Sequence, residues 1–133
     1  MPISKLVIVG PNDNPVYEAD FVAQKEPGYF IQFIAHSSLD LIEEVKWKTR
    51  DMYLKKVDSF NKYTIYSWVT ATNTKFIALV EKQDATDSCK NFFNDIYELY
   101  LKILLNPFYS QSTPIKSKLF DEKVKKLSQK YFN

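Results

Sequence analysis

His36 and Asp40 stand four residues apart in a helix-patterned segment, so their side chains can meet on one helix face. In an enzyme such a pair would serve as a base and its orienter, with Cys89, the one cysteine, as nucleophile. A small hydrolase of that kind needs Cys89 and His36 to converge within about 3 Å in one pocket. Neither a second histidine nor a glycine-rich turn accompanies them. The competing readings of His36–Asp40 are a partner contact or an exposed pair worth a few tenths of a kcal/mol. Cys89 lies near an expected helix N-terminus, where the dipole favours the thiolate. It also begins an apolar stripe, which fits a buried structural thiol. One His and one Cys leave only scattered carboxylates for a metal. Gly10 and Gly28, the only glycines, build neither a dinucleotide fingerprint nor a phosphate loop. No metal and no cofactor is expected.

Recognition chemistry is better represented. Glu43 and Trp47 share a polar helical arc with Gln32, His36 and Asp40. An aromatic ring among polar residues is a common interface anchor, and a tuck under a loop is the alternative. Beside that arc, Ile31, Ala35, Leu39 and Ile42 form a second apolar row next to Phe30, Phe33, Ile34, Leu41 and Val45. Together the rows span roughly 240°, more than twice the stripe that a surface helix needs. Such a helix is either covered on two sides or awaits a partner. A further candidate is the row Lys123, Lys126 and Lys130 near the C-terminus, suited to an anionic membrane or an acidic partner, or simply a solvated face. Asn106-Pro107-Phe108-Tyr109 matches the NPxY pattern read by adaptor domains, and helix punctuation explains its first two residues equally well.

The elements that must carry these residues follow from periodicity. Ile3–Val9 is short and nearly all apolar, as a strand covered on both faces should be. The turn cluster from Gly10 to Pro15 leads to an alternating strand, Val16–Val22, with Tyr17, Ala19 and Phe21 on one face and Glu18 and Asp20 on the other. The period then changes, and a helix is expected from Tyr29 to about Arg50. Tyr53–Phe60 reads as a polar edge strand, and Tyr63–Ala71 and Phe76–Val80 as two more joined by Thr72-Asn73-Thr74. A helix starts between Asp84 and Ser88, with Asp87 a candidate N-cap, and runs through Cys89, Phe92, Phe93, Ile96, Tyr97, Tyr100, Ile103 and Leu104 to Asn106-Pro107. A last helix carries Phe120, Val124, Leu127 and Tyr131 on one stripe. The order is β-β-α-β-β-β-α-α. It predicts an α+β fold: a five-stranded, mostly antiparallel sheet with the first helix on one face and the last two on the other. This is the layout of longin-like and profilin-like domains.

Composition agrees with one domain spanning residues 1–133. The chain is 16% aromatic, with 18 basic and 16 acidic residues, enough apolar content to offset ordering entropy. A net charge of +2 gives no footprint for nucleic acid. No apolar run approaches the length of a membrane span, and the N-terminus has no signal-peptide pattern. A single cysteine suits a reducing cytosol. Charge is uneven: from Gln111 onward six lysines face Asp121 and Glu122, a balance of +4, so the remainder stands at −2.

Several blocks, in order and at near-constant spacing, resemble the sedlins, small subunits of the TRAPP vesicle-tethering complex. They are Val7-Ile8-Val9-Gly10 with Asp13-Asn14-Pro15-Val16, Gln32-Phe33-Ile34-Ala35-His36 with Leu39-Asp40-Leu41, and Met52-Tyr53-Leu54-Lys55 with Val57-Asp58 and Phe60-Asn61. They continue in Lys90-Asn91-Phe92-Phe93, in Asn106-Pro107-Phe108-Tyr109, and in Phe120-Asp121 before Lys123-Val124. Between Phe21 and Gln32 the chain is several residues shorter than sedlins usually are. The resemblance implies a longin-like fold and a non-catalytic adaptor role in endoplasmic reticulum-to-Golgi transport. It implies other TRAPP subunits as partners and a Rab GTPase only indirectly through the complex. A cytoplasmic, perinuclear location follows, peripheral at those membranes. His36, Asp40, Glu43, Trp47, Ile31, Leu39 and Ile42 are the expected partner-binding set, and Lys123, Lys126 and Lys130 the expected membrane or acidic-partner contact.

Overall fold

The first hairpin sets the frame. β1 (Ile3–Val9) pairs antiparallel with β2 (Pro15–Asp20) on one side and with β5 (Lys75–Val80) on the other. Beyond β5 come β4 (Tyr63–Val69) and β3 (Tyr53–Phe60), giving the sheet order β2-β1-β5-β4-β3. Every described pairing is antiparallel. The computed structural model describes residues 3–10, 15–20, 37, 39–45, 47–48, 52–60, 63–70, 72–81, 86–107, 115 and 118–132. The described part of the first helix, α1, is residues 37 and 39–45, with a turn at 47–48. α2 spans Thr86–Leu104 and α3 Lys118–Phe132.

Strand alternation sorts the side chains into two cores. Leu6, Ile8, Tyr66, Trp68, Phe76, Ala78 and Val80 face α2 and α3. Val7, Val9, Ile65, Val69, Ile77 and Leu79 face the opposite way, and Ile42 of α1 packs on them with Leu39 and Val45 at the margin. β1 and β5 are thus buried on both faces, as their continuous apolar runs require. The larger core is aromatic. Tyr100 meets Phe76 edge-on at 5.6 Å, and Phe93 lies against Tyr53, Trp68 and Phe76. Each such pair adds about 1 kcal/mol beyond area burial.

α3 is fastened at both ends. Ile115 N–H donates to the Val16 carbonyl at 2.6 Å, and the Tyr17 hydroxyl donates to Asp121 at 2.7 Å. Near the other end, Tyr131 donates to Asp95 on α2 at 2.5 Å. Tyr17 also meets Phe120 edge-on at 4.9 Å.

Several boundaries differ from expectation. β4 ends at Val69 because Thr70 begins a turn: Asn73 N–H bonds the Thr70 carbonyl, Thr70 N–H bonds the Thr74 carbonyl, and Asn73 takes φ of 68°. Asn tolerates that left-handed backbone better than most residues. α2 begins at Thr86, so Asp87 sits in its first turn rather than capping it; there its charge complements the helix dipole. β5 starts one residue early, at Lys75. β2 starts at Pro15, which an edge strand accepts because no ladder N–H is needed there. Phe21 and Val22, the segment between Phe21 and Gln32, and the residues before Ser37 in the expected first helix lie outside the described residues.

Candidate functional site

Helical spacing and the sheet together decide what α1 shows to solvent. Ile42 is 0% exposed against the sheet, and Leu39 and Val45 flank it half-buried. At about 100° per residue, the opposite side of the helix carries Ser37, Asp40, Glu44 and Trp47 in one row. All four are exposed, Trp47 to 82%. The helix closes just there: Lys48 N–H donates to the Val45 carbonyl at 2.9 Å, so Trp47 stands at the turn that ends α1. Glu44 and Lys48 form an exposed pair at 3.8 Å. The result is an acidic row ending in an indole.

The predicted partner set is redistributed. Asp40 and Trp47 are brought into one exposed row. Ile42 leaves the set, because it has no surface to offer and serves the core that seats α1. Leu39 is half-buried on that same core. Glu43 turns to the helix flank, where its carboxylate reaches the Lys75 ammonium at 3.2 Å. Lys75 is 0% exposed and points to the same sheet face as Ile77 and Leu79. Glu43 therefore anchors α1 rather than presenting itself with Asp40. His36 and Ile31 lie outside the described residues.

Lys75 and Glu44 were missed by sequence reasoning. Glu44 follows Asp40 at i+4 and could have been found by spacing alone. Lys75 precedes an apolar run in the parity of Ile77 and Leu79, a position that turns a cation inward. Parity was the available signal.

The nucleophile reading ends with Cys89. Its thiol is fully buried among the aromatic side chains under α2, and that burial pushes its pKa far above the ordinary thiol value. It faces the opposite side of the sheet from α1's core residue Ile42. A thiol without solvent access and held protonated cannot attack a substrate. Among the described residues, no three of His, Cys, Asp or Glu are grouped to hold a metal ion. No described helix is long and apolar enough to cross a membrane. Lys123, Lys126 and Lys130 are all exposed on α3, and Asn106 and Pro107 are exposed just beyond α2.

Comparison with known proteins meets this geometry from another direction. The family model described as Sedlin matches residues 8–130. The "Probable trafficking protein particle complex subunit 2" of Drosophila melanogaster is 42% identical, the match covering 94% of each chain. The "Transport protein particle 20 kDa subunit" of Schizosaccharomyces pombe is 38% identical over 93% of this chain and 95% of its own. The "Trafficking protein particle complex subunit 20" of Saccharomyces cerevisiae is 30% identical over 95% of this chain and 96% of its own. With the family model and the relatives matched nearly end to end, the chain belongs to the sedlin family, the small subunits of the TRAPP trafficking complex, and has their longin-like α+β fold.

Proposed function

We propose that this chain is a non-catalytic adaptor subunit of a TRAPP-type tethering complex in endoplasmic reticulum-to-Golgi transport. It binds other subunits through the exposed row of α1 and is linked to a Rab GTPase only through the assembled complex. It works from the cytoplasm, peripheral to the membranes that the complex joins. The observation that carries the reading is Trp47, 82% exposed beside Asp40 and Glu44 on a helix whose other side is seated on the sheet. A large apolar ring is costly to leave in water and is the residue type that most often anchors an interface. Relatives named as trafficking-complex subunits support the assembly context.

The test is capture of complex subunits from a eukaryotic extract by the wild-type chain and by Asp40→Lys and Trp47→Ala variants. Both positions are exposed, so each variant should keep its stability within about 0.5 kcal/mol. Trp47→Ala should weaken capture roughly 30-fold, the usual loss of a central anchor. Retention of the same subunits at normal stoichiometry by both variants would overturn the assignment to this row.

A further inference from the structure

We propose that the exposed face of α3 is a docking surface for an anionic lipid bilayer, a role independent of the α1 row. Leu119, Lys123, Lys126 and Lys130 follow one another at i, i+4, i+7 and i+11, which places them in a single stripe about 60° wide. All four are exposed, Leu119 to 60%. A neighbouring side of the helix, Phe120, Val124, Leu127 and Ser128, is packed into the protein about 115° around from the stripe, which stays exposed. No acidic residue lies within it. Asp121 is turned toward Tyr17 and Lys125, with 3.1 Å to the latter, and the exposed Glu122 borders the stripe four residues before Lys126. The Lys130 ammonium lies 5.2 Å from the centre of the Tyr131 ring, a cation–π contact that leaves its charge in place.

Two features select lipid over an acidic protein. The first is charge concentration. α3 carries five lysines against Asp121 and Glu122, +3, while the whole chain carries +2, so the rest of the molecule stands at −1. A bilayer of anionic headgroups would attract this helix and orient the remainder away. The second is residue type. The stripe holds lysine and leucine, with no arginine, tyrosine or tryptophan. Protein interfaces favour those three and are depleted in lysine, whereas lysine rows beside an exposed aliphatic residue suit headgroups and the acyl boundary. Each lysine near an anionic surface strengthens binding about fivefold, so three contribute roughly 100-fold.

The experiment is vesicle flotation with the full chain, at millimolar lipid. Phosphatidylcholine vesicles are compared with vesicles containing about 30% phosphatidylserine, at low and high salt. A Lys123→Gln, Lys126→Gln, Lys130→Gln variant is set beside a charge-matched control, Lys48→Gln, Lys90→Gln, Lys102→Gln, all exposed positions elsewhere. Unchanged circular dichroism and melting verify the fold of each. The expected result is salt-sensitive binding to the anionic vesicles alone, reduced roughly 100-fold in the stripe variant and only a few-fold in the control. Leu119→Ser should lower it by a further few-fold. Equal loss in both triple variants would mean net charge rather than the stripe, and overturns the proposal. Failure of the wild type to float, with the stripe variant losing capture of a protein partner, would give the face to an acidic protein and overturns it equally.

Discussion

Removing the charge of Glu43 should damage this protein more than removing that of Lys75, although the two form one ion pair. The asymmetry comes from their surroundings. The Lys75 side chain is 0% exposed and the Glu43 side chain 41% exposed, at 3.2 Å. In Glu43→Gln the ammonium stays buried and faces a neutral amide. Breaking a buried pair from one side costs about 3–5 kcal/mol, and an amide oxygen that still accepts a bond reduces that to roughly 2–3. In Lys75→Met the buried cation is gone, a side chain of similar length fills its place, and Glu43 turns to water. That change should cost about 1 kcal/mol or less. The double variant should resemble Lys75→Met alone, giving a coupling of about 2 kcal/mol. Urea and thermal unfolding read these directly: with roughly 3 °C per kcal/mol for a chain of this size, Glu43→Gln should melt about 6–9 °C low and Lys75→Met within about 3 °C of wild type. Equal or reversed costs, or additivity within about 0.5 kcal/mol, would refute the view that this pair seats α1.

Other expectations concern the larger core and the C-terminal helix. Cys89 should resist alkylation in the native protein and react only on unfolding, so thiol modification in urea should track the unfolding curve. The carboxyl of Asp121 is held below its ordinary value by the Tyr17 hydroxyl, with Lys125 helping. A depressed carboxylate stabilises the fold above the unfolded value near pH 3.9 and loses that contribution as pH falls through the lower folded value. Tyr17→Phe should therefore flatten the stability profile over that acid range, as measured by denaturation from pH 6 down to about pH 2. Among the described residues, the buried indole N–H of Trp68 has no hydrogen-bond partner. Trp68→Phe removes that donor, so relief of roughly 1–3 kcal/mol should offset most of the lost packing, and chemical denaturation should show a net cost of about 1 kcal/mol or less.

What was legible in the chain depended on how each signal was encoded. Tyr53–Phe60 was placed as an edge strand from polarity alone, and it is one. The stripe Phe92, Phe93, Ile96, Tyr100 was read correctly because helical period and burial coincide in it. Of the wide apolar arc expected around α1, the described part is Leu39, Leu41, Ile42 and Val45, which are buried or half-buried. Ile42 reads identically whether a sheet or another protein covers it, and only the assembled sheet makes it core. Asp40 and Trp47 reached the exposed row through spacing, while Glu43, three residues from Asp40, was drawn away by a lysine 32 positions on. Long-range pairing of that kind leaves no local trace. The Tyr17–Asp121 and Tyr131–Asp95 bonds were invisible for the same reason.

The fastening of α3 has a consequence for how the chain reaches its native state. Tyr17 and Asp121 are 104 positions apart, and the Ile115–Val16 bond closes a loop of similar length. Such closure is entropically late, because the ends of a long segment must meet before any contact rewards them. During synthesis β2 emerges long before the residues that will bond its outer edge. For that interval the edge is a bare template for pairing with another chain. The residue that leads into the C-terminal helix, Ile115, thus also ends a period of vulnerability, and a ribosome-bound chain stopped short of it should be the species that most needs a chaperone.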